Sequence, residues 1–193
     1  VGVTVENSSA QSLGNRIGNP LWDFSMHVYS QPEIAKKSLA LQNEYNANVN
    51  IILWCCWLDS EGLYLPVAWM DEVLISIDTV SMQTVAKLRE VRRALLQTGS
   101  FTKVQAQHIK KHILKAELLV EKLLLQRLED LTWKFLLSQD NPQGGDKTAQ
   151  NIDLFYYLDF IGVPNARANS ALMLGACRRE MPVPVATNLN APV

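Results

Sequence analysis

Apolar positions recur at three- and four-residue spacing along most of this chain, the period of an amphipathic helix. After residues 1–18, a polar stretch without that period that reads as a flexible leader, structure is expected to begin near Asn19-Pro20, since proline suits a first helical turn. A second helix opens at Ser30-Gln31-Pro32-Glu33, which has the form of a capping box, and runs through Ile34, Leu41 and Tyr45 to about Asn46. Val49 to Leu58 is apolar almost throughout. Such a run suits either a buried strand or a buried helix; a helix is favoured because nothing else in the chain offers a partner strand.

From Ala68 to about Thr98 the period is helical again, with a break expected near Asp78 and Gly99 as a stop. The longest helix follows, from about Thr102 to Leu137. Its expected apolar stripe is Ile109, Ile113, Ala116, Val120, Leu124, Leu131 and Phe135, with Lys111, Lys115, Lys122 and Glu129 facing away. Asn141-Pro142-Gln143-Gly144-Gly145 breaks the pattern. Asp146 can then cap a helix reaching about Ile161, and Pro164 can open another ending near Met181. The result is an all-α, single-domain bundle of about six to seven helices over residues 19–181, with a Pro-containing tail at 182–193 expected to be disordered.

Composition narrows the class without naming a function. With 48% hydrophobic and 19% charged residues the chain can bury a core, so wholesale disorder is excluded. Its longest unbroken apolar run, Ile51–Leu58, falls far short of the roughly 20 residues that span a bilayer, and the N-terminus shows no secretory signal pattern. Three cysteines, two of them adjacent, make no disulfide framework and point to a reducing cytoplasm.

Charge changes the picture more. The net charge of −1 is a cancellation: residues 1–86 carry −6, residues 87–115 carry +7 and residues 116–193 carry −2. The basic block would lie on a hairpin turning at Gly99-Ser100, which would bring Arg89 or Arg92 close to Glu117. Glu117 and Arg127 fall on the expected apolar stripe, where a charge is costly unless paired. Arg89, Arg92, Arg93, Glu117 and Glu121 are therefore the candidate binding residues, either as an architectural ion cluster or as a site for an anionic group. Trp133 joins them because it lies opposite the main stripe, beside Leu119, Leu136 and Leu137, suggesting a second buried surface filled either by another helix of this chain or by a partner. His108 and His112 stand at metal-ligand spacing but lack a third ligand and sit among lysines, so a solvated face is the better reading. His27 reads as a half-buried histidine.

No Walker loop, dinucleotide fingerprint or nucleophile elbow is present. No catalytic residue, metal or cofactor is expected, and an enzyme is the less favoured class.

The string LWDFSMHVYSQPEIAKKSLALQNEYNANVNIILWCCWL carries a resemblance in Trp22, Phe24, Ser25, Tyr29, Leu41-Gln42, Val49-Asn50, Leu53 and Cys56-Trp57-Leu58. So do Leu88-Arg89 with Arg92-Arg93, Ala116-Glu117-Leu118 with Glu121, and Tyr157-Leu158 with Gly162-Val163. Over roughly residues 20–163 the chain resembles a family of small helical proteobacterial proteins bearing a domain-of-unknown-function label, number 2390. The resemblance implies a cytoplasmic helical protein and supplies no catalytic residues. The helix and tail after Pro164 depart from that family's compact form.

Function is accordingly expected to be docking. The basic hairpin and the second face of the long helix would hold a partner protein or a second copy of the chain. The alternative is a small anionic ligand or enzyme site in the Arg/Glu cluster. Nucleic acid comes third, because the acidic flanks would repel it.

Overall fold

In a computed structural model the described residues are 20–97, 99–138 and 152–180; the expected leader, tail and Asp146 cap lie outside them. They form an all-α bundle: α1 (Pro20–Tyr29), α2 (Pro32–Tyr45), α3 (Val49–Glu61), a 3-10 turn (Val67–Trp69), α4 (Met70–Gln83), α5 (Val85–Gln97), α6 (Lys103–Ser138), α7 (Leu154–Phe160) and α8 (Ala166–Glu180). None of the described helices is long and apolar enough to cross a membrane.

The centre is α3. Every residue from Val49 to Leu58 is buried, and a helix apolar on all sides must be enclosed on all sides. Enclosure comes from α1, α2, α6, α7 and α8. Asn48 caps its start by accepting a hydrogen bond from the Asn50 amide at 3.0 Å. Gly62 ends it in the left-handed conformation, φ +65°. The Trp54 indole donates to Thr132 Oγ1 at 2.9 Å, so its one polar atom is satisfied inside the core.

Local chemistry departs from the expected signals in several places. Ser30 does not cap α2: Gln31 is the N-cap, and the Ser30 hydroxyl turns back to the His27 carbonyl at 2.6 Å. Pro32 opens the helix one residue late for a box at Ser30. A reciprocal box does form at Thr102 and Gln105, whose side chains exchange bonds with each other's backbone amides at the start of α6. The α4–α5 break falls at Thr84 rather than near Asp78, because the Thr84 hydroxyl competes for the Val80 carbonyl. Helix α7 begins at Leu154, where the Asp153 side chain accepts from the Tyr156 amide.

Along α6 the buried face rotates. Up to Ala116 no residue is buried; from Glu117 onward Leu124, Leu125, Leu128, Leu131, Thr132, Phe135 and Leu136 all are. Arg127 falls off this row and is exposed, contrary to the expected stripe. Glu129, expected outside, is buried instead: its carboxyl oxygens accept from the Leu21 amide at 3.2 Å and the Trp133 indole at 3.3 Å, closing the start of α1. Helix α8 is part of the bundle, tied to α3 by a bidentate Arg178–Asp59 pair at 2.8 and 3.0 Å. His27, His108 and His112 are all exposed, and among the described residues no group of three potential metal ligands forms.

Candidate functional site

Antiparallel α5 and α6 form the expected hairpin, turning at Gly99 with φ +61°. Helix α5 packs on α6 and on α4, and no residue in the first third of α6 is buried. Where the hairpin meets the bundle, Arg92 makes a bidentate bond to Glu117, Nε–Oε1 2.7 Å and Nη2–Oε2 3.1 Å. Arg89 reaches Glu121 at 2.5 Å and Glu117 at 3.9 Å. Glu117 is only 5% exposed, so its charge is held almost wholly by these two guanidinium groups. Its carboxylate in turn raises the Arg92 pKa above its ordinary value. The architectural reading suits this pair: donor and acceptor saturate each other.

Beyond the ion cluster the hairpin is open. Leu114 and Leu118 are 41% and 47% exposed and share a shallow depression with Lys110, Lys111 and Lys115. None of the three lysines makes an ion pair among the described residues. Eight basic and three acidic residues leave +5 over residues 84–121.

Trp133 is half-buried and stacks edge-on against Trp57, with ring centroids 6.0 Å apart. The second surface near it is thus covered by this chain's own α3, while Leu119 and Leu137 remain exposed.

A second concavity, about 500 Å³, opens where the α2–α3 turn faces the α4–α5 break and Glu121 of α6. Arg89, Arg93 and Glu121 line it; Arg92, Glu117 and Trp133 do not. Sequence reasoning missed the other half of this cleft: Asp78 and the carboxamides of Gln42, Asn43, Asn46, Asn48 and Asn50. Its one sequence signal is the asparagine spacing in Asn43-Glu44-Tyr45-Asn46-Ala47-Asn48-Val49-Asn50. Asn46 takes the left-handed conformation, φ 58°, that ends α2, which turns the chain so that Asn48 can cap α3. The Asn48 amide donates to the buried Tyr157 hydroxyl at 2.8 Å, fixing the turn from behind. Its side chain donates to Asp78 Oδ1 at 2.7 Å.

Burial raises the Asp78 carboxyl above its ordinary pKa of 3.8, against the opposing Asn48 hydrogen bond. Burial likewise raises Glu121, against Arg89. A raised carboxyl binds its proton more tightly in the folded state, so ionised Asp78 weakens the fold at neutral pH and the penalty fades as pH falls. Asp78→Asn keeps an acceptor for Asn48 and removes the charge. It is expected to be neutral or stabilising by up to about 1 kcal/mol at pH 7. Its advantage over the wild type should shrink to nothing below the unfolded-state pKa of about 3.9. Urea melts between about pH 3 and 7 check this; a clear loss of stability at pH 7 would show Asp78 to be structural.

No curated protein and no solved structure matches the chain. A family model described as a protein of unknown function (DUF2390) matches residues 20–128, which run from the start of α1 through the ion cluster into the last third of α6. Both faces of the cleft and the whole basic hairpin lie within that span, whereas α7 and α8 lie outside it. On this match, which covers more than half of its length, the chain belongs to the DUF2390 family.

Proposed function

We propose that the chain is a docking protein whose basic hairpin holds an acidic partner. The observation that carries this reading is the lysine trio around Leu114 and Leu118, without an ion pair among the described residues, on a stretch of α6 in which no residue is buried. An apolar centre with a charged rim is the usual anatomy of an interface. Lysines without internal partners add steering toward negative charge. An acidic amphipathic helix suits both features. The three free, buried cysteines fit a reducing cytoplasm as the compartment.

Reversing Lys110, Lys111 and Lys115 to glutamate tests the proposal, because none of these positions is buried and substitutions there bear little on folding. Affinity capture from source-cell extract should retain an acidic protein on the wild type. The same protein should be lost from the variant, and from the wild type at about 0.5 M salt. Equal retention by both forms would overturn the reading. Nuclease-sensitive capture would replace the protein partner with nucleic acid, and loss of self-association in the variant would replace it with a second copy.

A further inference from the structure

The cleft beside the hairpin has chemistry of its own. Four charged residues line it, and two of them, Arg89 and Glu121, are already joined. The other two are of opposite sign and have no ion pair among the described residues. Asp78 is partly buried, and Asn48 occupies only its Oδ1 oxygen. Arg93 is tethered through Nε alone, donating to the Arg89 carbonyl at 3.3 Å, which leaves the rest of its guanidinium fork free. Asn50 adds a polar group to the wall. It lines the cleft and is only 7% exposed, and its carboxamide can both donate and accept a hydrogen bond there.

A ligand of one sign would satisfy one of the two unmatched charges and be repelled by the other. A zwitterion satisfies both and leaves the filled site neutral. We propose that this cleft binds a small zwitterion of the free amino-acid class, with its ammonium group on Asp78, its carboxylate on Arg93 and its polar atoms on Asn50. A guanidinium fork matches a carboxylate in two-bond geometry, and a partly desolvated carboxylate is a strong acceptor for an ammonium group. Ala47 and Val85, both buried at the cleft wall, offer apolar surface to the ligand's carbon skeleton. The volume lies within the usual range for small-molecule sites. This site uses none of the three lysines assigned to docking, so the two proposals stand or fall separately.

The test is a titration of the isotope-labelled full chain with a pool of the twenty common amino acids at about 5 mM each, followed by single compounds, read by amide chemical shifts. Saturable shifts confined to residues 42–50 and 78–93 are expected for at least one amino acid. Affinity should fall about tenfold or more in both Asp78→Asn and Arg93→Gln, with their thermal midpoints held near the wild-type value. Acetate and methylammonium serve as single-charge probes. Saturation by either one with the same affinity would overturn the zwitterion assignment. So would the absence of shifts from the pool, or binding that survives both substitutions.

Discussion

Replacing Trp54 with alanine is expected to lower the stability of the fold by about 3–5 kcal/mol, the range for emptying a large aromatic site in a packed core. Trp54 is fully buried on the one helix enclosed from every side. Its loss leaves a cavity that neighbours on α3 and α6 cannot fill without moving the whole interface. Thr132 is not left unsatisfied, because its hydroxyl also donates to the Leu128 carbonyl at 2.8 Å; the penalty is therefore one of packing. With total stabilities of about 5–15 kcal/mol for domains of this kind, the variant sits near the edge of folding. Urea denaturation should show a midpoint lower by roughly 2 M for a slope of about 2 kcal/mol/M. Trp54→Phe, which keeps most of the ring, should lose markedly less. A shift below about 1 kcal/mol for the alanine variant would mean that α3 is not the packed centre.

The second large effect is expected at Glu117. Glu117→Ala removes the acceptor for Arg92 and the more distant of the two counter-charges of Arg89, at a position 5% exposed. Breaking a buried ion pair from one side is destabilising by about 3–5 kcal/mol. The lower end applies here, since both arginine side chains keep about a quarter of their surface in water, 24% and 25%, and can turn outward. The loss should be local. Amide exchange should speed up through α5 and the first third of α6, while α3 keeps its protection. Replacing both partners, Glu117→Leu with Arg92→Met, should recover most of the loss, because two apolar groups of similar size leave no charge stranded. Uniform loss of protection across all helices would show instead that the hairpin and bundle open as one unit.

These two sites differ in how far the chain itself announces them. The Glu117 pairing was legible, because a carboxylate on an apolar stripe needs a cation and a turn at Gly99 brings α5 alongside. The helical state of Val49–Leu58 was legible only by elimination, since a continuous apolar run has no period. Arg127 and Glu129 lie off their expected faces for one shared reason. A single stripe cannot describe a helix of 36 residues that meets α5 with one face and the bundle with another. The face it buries rotates where the partner changes. The expected cap at Ser30 failed on a one-residue shift set by Pro32, a detail below the resolution of motif spacing.

What the sequence alone determined is the set of helices, the hairpin and the uneven charge along the chain, because periodicity, helix stops and charge runs are local properties. What only the tertiary structure decided is which charges are spent and which are left over. The hairpin sets Arg89 and Arg92 against Glu117 and Glu121 of α6, but that Arg93 is left at the mouth of a cleft emerges only from the packing of α5 against the α2–α3 turn. Asp78, expected only as the place of a helix break, becomes a cleft residue because the α2–α3 turn lies across it. The reason is physical: burial and Coulomb pairing depend on distances in space between residues tens of positions apart, and no spacing along the chain records them.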